Sequence, residues 1–391
     1  MNPTPSLHET LPVDAAQATL VGRVWLPGAL GGPTPVTLRD GELIDLSALA
    51  PTVSALLEMP GAVAAVRAAP HRSIGRLEDA LAAAQTPDTL HLLAPCDLQP
   101  IKAAGVTFAS SLLERVIEEQ TRGDPSRAHA VRQQVVAVVG EDLSKVRPGS
   151  PQAMQLKELL IAQGLWSQYL EVGIGPDAEI FTKTATLASM GTGADVGLHP
   201  GSTWNNPEPE IVLVIDSRAH IVGATLGNDV NLRDFEGRSA LLLGKAKDNN
   251  GSCAIGPFIR LFDAHYSLDD VRSAVVRLRV EGEDGYVLEG DSSMAQISRD
   301  PLDLVEAAMG RTHQYPDGVM LFCGTMFAPV QDRDVPGIGF THKLGDRVTI
   351  SSERLGALVN RVERSDRIGP WVFGIGALMR NLARRGLLRG D

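Results

Sequence analysis

The sequence predicts an α+β protein: a small amino-terminal α/β domain over residues 1–95, then a β-rich catalytic domain over 96–391. Three observations carry this. At 391 residues the chain exceeds what one ordinary core fills. Residues 1–95 alternate strand-like runs with Ala-rich helical ones. After Glu171 helical periodicity fades, and apolar runs bounded by Gly, Asn, Asp and Pro take over.

In chain order, "TLVGRVWLPG" and "GPTPVTLRDGELIDLS" read as strands and turns, and "LEDALAAAQ" as a helix, with no chemical motif among them. From Ser111, "SLLERVIEEQTRGDPSRAHAVRQQVVAVVGEDL" is helical, and Ser111 and Glu114 stand in the S-x-x-E spacing of a capping box. "SPQAMQLKELLIAQGLWSQYL" predicts another helix. "EIVLVI", "HIVGATL", "SAVVRLRV" and "DRVTISS" then predict an antiparallel sheet. The amphipathic "GALMRNLARRGLLRGD", basic in its last turns, suits a terminal helix. There is no internal repeat and no low-complexity segment.

A content of 43% hydrophobic and 21% charged residues is that of a globular chain. The formal charge of −11 argues against nucleic acid or an anionic membrane as partner, because most of the surface would repel either. A small anionic substrate would need a local cation or metal. Cys96, Cys253 and Cys323 match no disulfide framework or zinc spacing, and small buried apolar side chains are the plain reading. The first residues lack a basic segment followed by an apolar one, and no apolar run approaches ~18 residues, so a cytoplasmic protein is expected.

Two motifs are discarded. "GIGPDA", Gly173 to Ala178, fits a dinucleotide loop only in outline: Pro176 interrupts it, and "EIFTKTAT" follows where a helix should open. "GKAKDNNG" resembles the end of a phosphate loop, but Ala246 replaces the magnesium-holding Ser or Thr. No G-x-S-x-G elbow supports serine-hydrolase chemistry.

The informative stretch is "NNPEPEIVLVIDSRAHIVGATLGNDVNLRD", Asn205 to Asp234. Residues two apart on a strand share a face, so Glu208 and Glu210 present two carboxylates side by side. The midpoint of 208 and 229 falls inside the turn-like "DSRAH", so a hairpin returns Asp229 to the neighbourhood of Glu208. Three oxygen-only ligands suit a hard divalent ion, Mg²⁺ first and Mn²⁺ or Ca²⁺ next, and the absence of His and Cys argues against zinc. The alternative is a set of acids decorating an exposed turn, and spacing alone leaves both readings open.

"EPE", "GNDVNLRD", Lys247 ahead of "CAIGP", "GT" at Gly324–Thr325, "LGDRVTI" and "LGALVNRV" together resemble the fumarylacetoacetate hydrolase superfamily, in the family's order, over roughly residues 95–365. The separation of 19 between Glu210 and Asp229 (229 minus 210) is similar to that family's branch of 2-keto-3-deoxy-pentonate dehydratases. Hydrolases of the superfamily carry a motif like N-Y-x-D-H-x-x-E whose His and Glu activate water. Here "TFASSLLE" puts Ser111 at the His position and leaves only Glu114, which weakens a hydrolase and favours a lyase.

The resemblance implies a mixed β-roll catalytic domain, a homodimer or higher homo-oligomer, and a small 2-keto acid substrate. It implies conversion of 2-keto-3-deoxy-D-pentonate to 2,5-dioxopentanoate, through an enolate held by a metal on Glu208, Glu210 and Asp229. Glu179 and Lys247 are then the candidate base and acid, with Glu114 and Ser111 as further catalytic candidates. A nearby cation should depress the pKa of Lys247. Lys183 would hold the keto oxygen or carboxylate, Thr325 and Gly324 the carboxylate, and His199 or His313 would line the pocket. Each has an ordinary alternative: a capping box for Ser111 and Glu114, charge pairing for Lys247, a surface position for Lys183, a turn for Gly324–Thr325, and packed or exposed rings for the histidines. Two competing functions remain: a C–C bond hydrolase splitting 5-hydroxy-2,4-dioxopentanoate to pyruvate and glycolate, and a catalytically silent keto-acid-binding protein.

Overall fold

The computed structural model describes residues 4–139, 146–162, 166–327 and 329–388, with side chains throughout except at 109–111, 113 and 134–139. At the amino terminus, helix α1 (Leu7–Thr10) is closed by a Ser6–Glu9 capping box and precedes strands β1 (Leu20–Leu26), β2 (Gly32–Arg39) and β3 (Glu42–Asp45). The β2–β3 turn places Asp40 at φ 50° and Gly41 at φ 78°, the pair of positive angles that a tight hairpin of right-handed twist requires. Helices α2 (Val53–Glu58) and α3 (Ala62–Ala68), strand β4 (Ser73–Arg76), helix α4 (Leu77–Ala82) and strand β5 (His91–Leu93) complete this part.

Strand β6 (Ile101–Gly105) leads into helices α5 (Ala109–Thr121), α6 (Ala128–Val139), α7 (Pro151–Ala162) and α8 (Gln168–Ile174), and then strand β7 (Glu179–Thr184). Two expectations are corrected here. Helix α5 opens after Phe108, so Ser111 lies inside its first turn rather than at the N-cap position that a capping box with Glu114 requires. The single helix expected after Ser150 is two, and Ser167 caps the second by accepting from Leu170 N at 3.2 Å. "GIGPDA" ends α8 and runs into β7, which suits its rejection as a dinucleotide loop.

Next come strands β8 (Asp195–Leu198), β9 (Asn205–Asn206), β10 (Pro209–Ile215), β11 (Ile221–Asp229) and β12 (Asn231–Leu232), helices α9 (Arg233–Glu236) and α10 (Leu243–Lys247), and strand β13 (Cys253–Leu261). Helix α11 (Leu268–Arg272), strands β14 (Val275–Glu281) and β15 (Val287–Ser293), helix α12 (Pro301–Ala308), strands β16 (Val319–Phe322), β17 (Arg347–Ser352) and β18 (Gly356–Arg364), and helix α13 (Ile375–Arg384) close the chain.

The fold is α+β. A large sheet runs β4-β3-β2-β1-β13-β11-β10-β16-β6-β7, with β5 on β1, and a second sheet runs β15-β14-β17-β18-β8. Pairing is antiparallel except at β16–β6 and β18–β8. One face of β10, β11 and β16 supplies Ile211, Leu213, Leu226 and Leu321 to a core shared with Leu278, Ile350 and Leu358 of the second sheet. On the opposite face, Val212, Ile255, Ile259 and Met320 pack against Leu56, Leu57 and Val66 of α2 and α3. Packing on both faces explains why β10 and β13 are buried along their whole length and mostly apolar, whereas burial along β14 alternates. Strand β1 pairs with β13, Leu20 opposite Arg260, so the amino-terminal strands continue the large sheet. The three cysteines are free and buried.

Candidate metal and active site

Strands β10 and β11 form the hairpin that the acid spacing requires, with Glu210 opposite Gly227 and a turn at Asp216–His220. Asp229 N donates to Glu208 O at 3.1 Å, so these two residues face each other where the hairpin opens. Glu208, Glu210 and Asp229 are 0%, 0% and 1% exposed, which overturns the exposed-turn alternative. One carboxylate oxygen from each lies within 4.8 Å of the others.

Cations surround this triad. Lys247, at the end of α10, reaches Glu208 Oε2 at 2.6 Å and Asp229 Oδ2 at 3.1 Å. Lys183, from β7 and wholly buried, pairs with Asp229 Oδ1 at 2.7 Å and donates to the carbonyls of Val230 and Lys247. Arg115, on α5, pairs with Glu208 Oε1, with Glu118 at 2.7 Å and with Glu236 at 3.2 Å. Gly324 N donates to Glu210 Oε2 at 2.7 Å from a φ of 100°, a conformation that a glycine adopts without penalty. Thr325 Oγ1 donates to Glu208 Oε2 at 2.7 Å.

Burial would raise the Glu208 carboxyl, but the charges of Arg115 and Lys247 outweigh it and hold the group at about 2. For Glu210, burial and the neighbouring anions Asp229 and Glu208 act together, and its carboxyl is pushed well above the usual range. Three buried carboxylates of which one resists ionisation make a donor set that fits a hard divalent ion, since added positive charge would relieve that crowding. Burial lowers the affinity of Lys247 for its proton, but Asp229 and Glu208 more than reverse this and raise it. With no cation beside it Lys247 is an ion-paired ammonium, and the depressed pKa expected of it belongs to the cation-bound site.

Beside the triad lies a narrow cavity walled by Glu179, Lys247, Arg115, Glu236, Tyr169 and Phe181. Glu179 opens β7 opposite Gly105 of β6, and its carboxylate occupies the space above that glycine: a Cβ there would sit 1.8 Å from Glu179 Oε2. Burial raises the Glu179 carboxyl, and Lys247 and Arg115 pull it back in part. A raised carboxyl and an ammonium on one cavity wall can take and give protons to a bound molecule.

The structure thus brings Glu208, Asp229, Glu179, Lys247 and Thr325 together around the cavity, with Glu210 beside Glu208 and Asp229 but not lining it, and Gly324 holding Glu210. Lys183 stands behind Asp229 rather than at the surface. Glu114 is bound by Arg132 at 2.7 Å and Arg233 at 2.9 Å and does not line the cavity. The side chain of Ser111 lies outside the described residues. His199 accepts from Gly201 N at 3.0 Å and packs edge-on against Phe235, and His313 packs on Tyr315; neither lines the cavity. Sequence reasoning passed over Arg115, Glu236, Tyr169 and Gly105. Arg115 was in view, next to Glu114 on the same helix.

Residues 171–363 match the fumarylacetoacetate (FAA) hydrolase C-terminal family. A 2-dehydro-3-deoxy-D-arabinonate dehydratase of Saccharolobus solfataricus is 31% identical over 193 residues, covering 49% of this chain and 60% of that protein. A probable 2-keto-3-deoxyxylonate dehydratase of Haloferax volcanii is 29% identical over 194 residues, covering 50% of this chain and 63% of that protein. The chain therefore spans less than two thirds of these relatives' own length. A human mitochondrial oxaloacetate tautomerase is 30% identical over 202 residues, covering 47% of this chain and 58% of that protein. A solved 2-keto-3-deoxy-D-arabinonate dehydratase complexed with magnesium and 2,5-dioxopentanoate superposes with a TM-score of 0.59 at 21% identity, over 88% of this chain and 99% of that one. At that identity the likeness is one of fold. No described helix is long and apolar enough to cross a membrane.

Proposed function

We propose, from the match of residues 171–363 to the fumarylacetoacetate (FAA) hydrolase C-terminal family, that the chain is a magnesium-dependent dehydratase converting 2-keto-3-deoxy-D-pentonate to 2,5-dioxopentanoate. The observation that carries the reading is a cluster of three buried carboxylates, two of which, Glu208 and Asp229, border a cavity also walled by Glu179 and Lys247. Similarity to two dehydratases of such keto acids supports the substrate class.

Glu208, Glu210 and Asp229 would hold the ion, Mg²⁺ before Mn²⁺ or Ca²⁺. When bound, it supplies a Lewis acid for the carboxylate and keto oxygens of the substrate, which makes the C3 hydrogens acidic. Glu179 is the base that removes a C3 proton, and its burial suits a carboxyl that must also give the proton back. Lys247, an ammonium, is the acid that protonates the departing C4 hydroxyl, which leaves as water. A proton then leaves C5, C3 is reprotonated, and the resulting C4–C5 enol takes up a proton at C4 and releases its hydroxyl proton to become the aldehyde, with loss of one water overall. Lys183 and Gly324 act one step back: the first fixes Asp229 and the second fixes Glu210. Thr325 fixes Glu208 and borders the site of the substrate carboxylate.

A diketo-acid hydrolase would need a group that activates water, and Glu114, the family candidate, is held by two arginines away from the cavity. That favours the dehydratase. The resemblance further supports a cytoplasmic homodimer, which sedimentation equilibrium would register as twice the chain mass. The test of function is a coupled assay on magnesium-loaded protein, with an aldehyde dehydrogenase reporting 2,5-dioxopentanoate. The reading requires turnover that EDTA abolishes and magnesium restores, and failure to turn over either epimer of the keto acid would refute it.

A further inference from the structure

One side chain on the cavity wall has no part in the steps above. Glu236, on α9, is 4% exposed and lines the cavity with Glu179 and Lys247. It sits across the Arg115 guanidinium from the triad: Nη2 of that arginine pairs with Glu208, while Nη1 faces Glu118 and Glu236. Arg115 is thus divided among three carboxylates. Its geometry toward Glu118 is good, at 2.7 Å, whereas Glu236 Oε2, at 3.2 Å, has no hydrogen-bond partner among the described residues. Glu118 is also held by Arg233 at 2.7 Å, so the spare anionic character falls on Glu236. A buried acceptor served only by a shared guanidinium at 3.2 Å is under-satisfied, and a ligand hydroxyl would complete it. A ligand carboxylate at the same place would meet a like charge.

We propose that Glu236 is a specificity-determining residue, which accepts a hydrogen bond from a hydroxyl in the tail of the bound 2-keto acid and turns away keto acids whose tail ends in a second carboxylate. This rests on the dehydratase reading for the orientation of the keto acid, with its carboxylate and keto oxygen toward the triad and its tail toward Glu236. A site built to bond a hydroxyl discriminates strongly against analogues that lack it, because its own polar group is then left unpaired. Burial raises the Glu236 carboxyl to about 7 against the pull of Arg115, so near neutrality the group can also donate to the same hydroxyl.

The test uses three unreactive five-carbon ligands that differ only at the tail: 2-oxopentanoate, 5-hydroxy-2-oxopentanoate and 2-oxoglutarate. Their affinities are measured by calorimetry on magnesium-loaded wild type, Glu236→Gln and Glu236→Ala. Wild type should favour the hydroxylated ligand over 2-oxopentanoate by about 10-fold and bind 2-oxoglutarate most weakly. Glu236→Gln, which keeps the shape and loses the charge, should gain about 10-fold for 2-oxoglutarate. Glu236→Ala should also lose the hydroxyl preference, and neither variant should change the affinity for 2-oxopentanoate. Unchanged ratios among the three ligands, or a fall in all three affinities together, would overturn the proposal while leaving dehydration intact. If Glu236→Ala does not fold, the 2-oxoglutarate gain in Glu236→Gln decides alone. Wild type that binds none of the three would overturn the dehydratase reading and this proposal with it.

Discussion

At Asp229 a buried carboxylate is held between two lysines, Lys183 at 2.7 Å and Lys247 at 3.1 Å. Removing one partner of a buried ion pair leaves an uncompensated charge, which costs about 3 kcal/mol or more. Lys183→Met should therefore lower the stability of the metal-free protein by about 3 kcal/mol in urea unfolding, and loss of less than about 1 kcal/mol would mean that Asp229 does not depend on it. Glu236 gives a pH signature. Its folded-state carboxyl lies at about 7 against an ordinary value of 4.5, so its contribution favours the folded state fully below 4.5 and is lost as pH rises through 7. In the metal-free protein the stability difference between wild type and Glu236→Gln should accordingly shift toward wild type by up to about 3 kcal/mol between pH 8 and pH 4.5. A difference that is flat with pH would show the group to be unperturbed.

The elements that aim these residues differ in how well they can be read from sequence. The β10–β11 hairpin was legible because its side chains repeat every two residues and its turn falls at the arithmetic midpoint of the acids. Arg115 was not. On an amphipathic helix an arginine beside a glutamate has the look of a solvated face, and only the packing of α5 against α9 turns it inward. The capping-box spacing at Ser111 misled because α5 begins two residues earlier, at Ala109. The β6–β7 pair offers a separable test of Glu179. Gly105→Ala would press a methyl into the space of the Glu179 carboxylate, whose flexible end can move aside. The variant should keep its melting temperature within a few degrees but lose about 10-fold or more in kcat, and equal kcat would argue against Glu179 as the base.

For the whole molecule, the α+β plan was visible in the change of periodicity after Glu171, whereas the division into two main sheets and the continuity of the large one were not. Leu20 pairs with Arg260, and no local pattern announces a partner that distant. The family motifs supplied the assembly of Lys247 and Thr325 with the triad that spacing alone left open. A buried triad of this kind ties metal binding to folding. Magnesium at 100 times its dissociation constant should stabilise the protein by about 2.7 kcal/mol, and Glu208→Ala should abolish that gain. Thermal unfolding with and without the ion checks it. The central claim, dehydration rather than carbon–carbon cleavage, is tested most directly by ¹³C NMR. One sample would contain magnesium-loaded protein, 2-keto-3-deoxy-D-xylonate and 5-hydroxy-2,4-dioxopentanoate, each labelled at C2. The account predicts that the pentonate is converted to 2,5-dioxopentanoate while the diketo acid persists; labelled pyruvate with the pentonate untouched would contradict it.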